Sequence, residues 1–190
     1  MKVISMSSVI TSRKSLVALA VLLVAQSACA DERWIETASV EFGTGASVQT
    51  LRLGVQHDTN KEWFQSNGNH LTMVWDFSLA QLRGNAYKNV PGQHQNITVI
   101  GATPTFRWEF DNKLGLFAEL GLGYHLFSEL YNNDSNRLST AFQFGDHLGI
   151  GYRFSNKWEA SMKIQHYSNA SIKKPNSGVN FFQVKLARPF

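Results

Sequence analysis

Residues 114–126 read Leu-Gly-Leu-Phe-Ala-Glu-Leu-Gly-Leu-Gly-Tyr-His-Leu. Leu114, Leu116, Ala118, Leu120, Leu122, Tyr124 and Leu126 alternate with Gly115, Phe117, Glu119, Gly121, Gly123 and His125. A period of two sends successive side chains to opposite faces of a β-strand, so one face here is greasy and the other mostly small or polar. The pattern recurs along the chain. Leu71, Met73, Trp75, Phe77 and Leu79 alternate with Thr72, Val74, Asp76 and Ser78. Ile100, Ala102, Phe106, Trp108 and Phe110 alternate with Gly101, Thr103, Thr105, Arg107 and Glu109. Phe142, Phe144, Leu148, Ile150, Tyr152 and Phe154 follow the same rule, with Asp146 breaking their greasy face.

Turn-forming residues cut this pattern into eight strands, near residues 36–43, 47–57, 69–83, 95–110, 114–127, 139–154, 157–168 and 179–190. Asp111-Asn112-Lys113 and Ser155-Asn156-Lys157 make tight connections, whereas 84–94, 128–138 and 169–178 are long and polar. Short turns at one end and long loops at the other predict an all-β fold, an eight-stranded antiparallel transmembrane β-barrel. Residues 58–67 are expected as a connection, unusually long for the short-turn end.

A water-soluble barrel or sandwich would also alternate, but a soluble ligand-binding barrel turns its apolar face inward. Here the second face carries Arg52, Asp76, Arg107, Glu109, Glu119, Gln143, His147 and Arg153. Those groups can pair inside a narrow barrel, which leaves the apolar band to meet lipid. Trp108, Phe110, Phe154 and Trp158 flank the two tight turns, where an interfacial aromatic girdle belongs. The last strand ends on Phe190, with Phe182, Val184 and Leu186 on its face and Arg188 as the exception.

Residues 1–30 are set apart as a cleaved secretory signal, leaving 31–190 as the barrel. They contain Lys2, Arg13 and Lys14, ten unbroken apolar residues from Leu16 to Ala25, and the small-residue site Ala28-Cys29-Ala30. Of the 18 Lys and Arg, three lie in this segment and none of the 14 acidic residues does, so the mature chain is nearly neutral. No basic footprint for nucleic acid survives the trimming. The only Cys leaves with the signal, so no disulfide or thiol chemistry is expected.

The chain has no phosphate-cradling glycine loop, no Gly-x-Ser-x-Gly elbow and no His-Glu-x-x-His helix. The six His stand at no metal-ligand spacing, and no cofactor or metal is expected. His125 and His147 fall on inward positions as polar filling, and His57, His70 and His94 are expected in exposed loops. His166 differs. The outward parity of Trp158, Ala160, Met162 and Ile164 runs on through His166 to Ser168, and that of Phe182, Val184 and Leu186 runs back to Asn180. A Ser with a His in reach is a nucleophile with its general base, and a third polar group can fix the imidazole tautomer. Residues two apart on a strand lie about 7 Å apart at Cα, so a rotamer or bend must close the gap.

The segment His166-Tyr167-Ser168-Asn169-Ala170, followed by Pro175-Asn176-Ser177-Gly178 and a final strand ending in Phe190, resembles the lipid A 3-O-deacylase (PagL) family. The resemblance is specific over the last quarter of the chain. It implies an outer-membrane barrel of a Gram-negative bacterium with a serine hydrolase site on its outer wall, acting on lipid A of the lipopolysaccharide among outer-membrane lipids. The implied reaction removes the ester-linked 3-hydroxyacyl chain at position 3. Carried over, Ser168 is the nucleophile, His166 the base, and Asn169 and Asn176 form the oxyanion hole. The family's third triad member is a Glu, and Asn180 occupies that position. Lys88, Arg137, Lys173 and Lys174 lie in the long loops, where they either meet lipid A phosphates or are solvated. The sequence leaves room for a homodimer. Two other readings compete with the hydrolase: a non-catalytic surface barrel, in which His-x-Ser-Asn is accidental, and a soluble lipid carrier.

Overall fold

The computed structural model describes residues 34–190, and the expected signal segment with its cleavage site lies outside the described residues. The strands are β1 (Thr37–Gly45), β2 (Val48–Ser66), β3 (Asn69–Gly84), β4 (Gln95–Phe110), β5 (Gly115–Phe127), the short pair β6 (Asn132–Asn133) and β7 (Asn136–Arg137), then β8 (Phe142–Arg153), β9 (Glu159–Ser168) and β10 (Val179–Pro189). Eight of them close into one barrel in the order β1-β10-β9-β8-β5-β4-β3-β2, and β6 and β7 pair within a loop. Every neighbour is antiparallel, and the barrel closes where β1 meets β10, from Thr37 opposite Pro189 to Thr44 opposite Phe182. Where the eight strands close on one another no strand edge is left unpaired, which a bilayer requires of any sheet that crosses it.

The faces divide as the period predicts. Leu116, Leu120, Leu122, Leu148, Ile150, Met162, Ile164 and Val184 all point outward and are exposed, Leu122 by 61% and Ile150 by 64%. A belt of that size in water would cost about 25 cal/mol for each Å² left uncovered, so it has to face lipid. This excludes the soluble carrier, whose apolar face would be the hidden one.

Inside, the charges are paired. Arg52 bridges Glu41 and Asp76, and Lys163 reaches Glu41 at 2.7 Å. Glu119 takes Lys185 at 2.7 Å and Arg107 at 3.1 Å. Arg107 also reaches Glu159 at 3.2 Å, which Arg153 holds at 2.6 Å. His125 and His147 are buried in the same interior. A Cβ on Gly121 would lie 2.3 Å from His147, and one on Gly145 would lie 2.5 Å from His125, so those glycines make room for the rings. Toward the loop end the filling becomes apolar, with Leu82, Ile97, Val99, Phe127, Tyr131, Leu138, Tyr167 and Phe181 in one buried cluster.

Two expectations change. Residues 58–66 are not a loop, because β2 continues to Ser66 and pairs with β3 through a register shift between Asp58 and Glu62. The turn falls at Asn67-Gly68, both at positive φ. This arm is exposed for most of its length, so neither face selects apolar residues and the period of two disappears from its sequence. His70 is only 1% exposed and sits in β3, with Nδ1 3.0 Å from Asp111. His57 likewise lies in β2 and is half-buried, while His94 is exposed between β3 and β4. Arg188, the exception on the last strand, lays its guanidinium over the Trp158 ring at 5.5 Å, so its charge sits at the aromatic girdle.

Candidate active site

The site grows from the upper ends of β9 and β10 and the loop 169–178 that joins them. Antiparallel register sets His166 directly opposite Asn180, and both are on the outward face. The imidazole Nδ1 lies 2.6 Å from Asn180 Oδ1. A carbonyl oxygen can only accept, so Nδ1 carries the proton and Nε2 is left with a free lone pair. The structure therefore brings together two members of the expected triad and sets the tautomer a general base needs.

Ser168 ends β9 on the same outward face, opposite Phe144 of β8. Its hydroxyl accepts a long 3.4 Å bond from the Ala170 N–H and is not bonded to His166. Ala170 and Ser171 have positive φ, which turns the chain away from the barrel immediately after the Ser.

Asn169 is 0% exposed and turns inward. Its Nδ2 donates to Lys173 O at 2.8 Å and to Ser139 Oγ at 3.2 Å, and its backbone N–H donates to Asn176 Oδ1 at 2.9 Å. Both of its donors are thus spent on shaping the loop. The Asn176 amide is anchored through its oxygen, and its NH₂ has no hydrogen-bond partner among the described residues.

Sequence reasoning missed Gly178 and the neighbouring loop. Gly178 has φ +73°, and a Cβ there would stand 2.6 Å from His166 Cε1, so the backbone packs flat against the imidazole. Its signal was present in the Pro-Asn-Ser-Gly element. The loop 128–141 clamps 169–178: Leu138 bridges to Asn176, Ser177 N–H donates to Arg137 O at 3.0 Å, and Ser139 Oγ donates to Lys173 O at 2.6 Å. No pattern in the sequence announces these bonds, which depend on where two loops meet in space.

Two strands along the wall from Ser168, an apolar groove of about 310 Å³ is lined by Ile100, Gly101, Tyr124, Leu126 and Phe142. Tyr124, Phe142 and Phe144 pack against one another, with centroids 5.1 to 5.9 Å apart, between that groove and the site. Among the described residues no group of three or more His, Cys, Asp or Glu could hold a metal ion.

The sequence matches the family described as lipid A 3-O-deacylase (PagL) over residues 49–189. The chain belongs to that family. It is 31% identical to the lipid A deacylase PagL of Pseudomonas aeruginosa over 90% of this chain and 96% of that protein. It is 28% identical to the lipid A deacylase PagL of Bordetella bronchiseptica over 80% of this chain and 82% of that one. Among solved structures, the crystal structure of the outer membrane enzyme PagL superposes with a TM-score of 0.70 at 28% identity, covering 81% of this chain and 99% of that chain. The family match extends from the last quarter of the sequence to residues 49–189.

Proposed function

We infer that this chain is an outer-membrane serine esterase that removes the ester-linked 3-hydroxyacyl chain from position 3 of lipid A. The observation that carries the reading is the His166–Asn180 pair beside Ser168, on a wall that can only face lipid, in a chain of the lipid A 3-O-deacylase family. An ester hydrolase for a membrane lipid gains from this placement, because the bond is met at the headgroup boundary and the lipid need not leave the leaflet.

Ser168 Oγ attacks the acyl carbonyl while His166 Nε2 takes its proton. The 3-hydroxyacyl chain passes to Ser168, and the alcohol at position 3 leaves with the proton returned by His166. Water then attacks the acyl-serine by the same route and releases the 3-hydroxy fatty acid. The Ser168 and His166 side chains close on each other when substrate binds, since catalytic hydrogen bonds often tighten only in the complex. The Asn176 NH₂ and the Ala170 N–H, which lies beside Ser168 Oγ, donate to the oxyanion. Asn169 supports that hole indirectly, by holding Asn176 and the loop. Lys88, Arg137, Lys173 and Lys174 face the headgroup region from the loops and suit the lipid A phosphates. The apolar groove beside Tyr124 suits an acyl chain. All of these side chains come from one chain, so a homodimer is not required.

The non-catalytic barrel gives no reason for a hydrogen-bonded imidazole on a lipid-facing wall. The test is covalent labelling. An alkyl fluorophosphonate should modify Ser168 of the refolded protein and stop fatty acid release from lipid A. Full inhibition with the label on another residue would overturn the assignment of Ser168.

A further inference from the structure

Asp146 interrupts the apolar outward face of β8, and nothing in the alternation explains it. Its place in the register does. Asp146 lies directly opposite His166 across β8 and β9, and His166 lies directly opposite Asn180 across β9 and β10. The three side chains form one row on the outer wall, with the imidazole in the middle. Cross-strand partners of this kind have Cβ atoms about 4.5 to 5.5 Å apart.

The Asp146 carboxylate is exposed and forms no hydrogen bond or ion pair among the described residues. Its neighbours on the same face are Leu122 across β5, and Phe144 and Leu148 along β8. A charge in such a wall is costly and by that fact marks a function. Of the outward groups packed around His166, β8 offers Asp146, β9 offers Ile164 and Ser168, and β10 offers Asn180 and Phe182. The loop adds only the exposed cations Lys173 and Lys174. Among the described residues, Asp146 is therefore the sole anion on the strand faces around the imidazole.

We propose that Asp146 is a positioning residue that supplies the negative charge needed by the His166 imidazolium, a charge that the neutral amide of Asn180 does not provide. The two flanking residues share the task. Asn180 holds the ring and its tautomer through the Nδ1–H bond, and Asp146 stabilises the protonated ring through space, leaving Nε2 free for Ser168. The proposal rests on the hydrolase reading above and completes its mechanism.

The test compares the full-length refolded protein with Asp146→Asn, Asp146→Glu and the double variant Asp146→Asn/Asn180→Glu, in lipid A deacylation across a range of pH. Asp146→Asn should lower kcat about tenfold and move the acidic limb of the kcat profile to lower pH by about one unit, because an imidazolium without its anion gives up its proton more readily. Asp146→Glu should keep most of the rate, and the double variant should recover it by placing the carboxylate on the other flank. A side chain that merely packs the wall would leave the limb where it was. An Asp146→Asn profile that overlays the wild type in height and position overturns the charge role. Turnover that survives Ser168→Ala overturns the hydrolase mechanism instead, and with it the catalytic meaning of Asp146.

Discussion

Gly178→Ala perturbs the site through one methyl group. The new Cβ would start 2.6 Å from His166 Cε1, and an ordinary carbon contact needs about 3.5 Å, so about 0.9 Å must be found. The loop is the stiffer partner, because Asn176 and Ser177 are tied to Leu138 and Arg137. The imidazole therefore gives way, and its 2.6 Å bond to Asn180 stretches or breaks. Misplacing a catalytic group by about 1 Å costs on the order of 100-fold in rate. The left-handed backbone at φ +73° adds roughly 1 to 2 kcal/mol of local strain in Ala. The barrel is paired without this residue, so its thermal unfolding in detergent should shift little. We expect kcat on lipid A to fall about 100-fold with folding retained, measured by fatty acid release beside a circular dichroism melt. A kcat within twofold of wild type would refute the claim that Gly178 clears space for the imidazole.

Asn180→Glu should raise kcat and shift the acidic limb of the pH profile upward, since an anion on Nδ1–H holds the imidazolium more strongly than an amide does; an unchanged rate and profile would argue against any orienting role for Asn180. Asn176→Ala should reduce kcat by about 10²- to 10³-fold if its NH₂ serves the oxyanion, with KM nearly constant as the separating measurement. Glu119→Ala leaves Lys185 and Arg107 without their shared anion. Breaking a buried pair of this kind typically costs about 3 to 5 kcal/mol, which should appear as a lower unfolding temperature in detergent.

The barrel was legible because a period of two survives wherever one face meets lipid and the other the interior. Parity alone placed His166, Ser168 and Asn180 on one outward patch, and the register confirms that His166 and Asn180 are partners. The same signal vanishes in residues 58–66, where the end of β2 is largely solvated and no selection for alternation remains, while β3 beside it keeps the period. His70 shares the inward parity of Thr72 and Asp76 on β3, so the alternation itself accounts for its burial, and Asp111 adds a partner at Nδ1. Asp146 looked like an error in its own strand and acquires meaning only from the strand beside it. The inward turn of Asn169 was hidden for the same reason, since Ser139 lies 30 residues away along the chain.

The central claim is that Ser168 cleaves the 3-O-acyl ester of lipid A. Tandem mass spectrometry of lipid A incubated with refolded wild-type protein, beside the Ser168→Ala variant, tests it most directly. The account predicts loss of one 3-hydroxyacyl group from position 3 with the wild type and intact lipid A with the variant. The same loss with both proteins, or none with either, would contradict it.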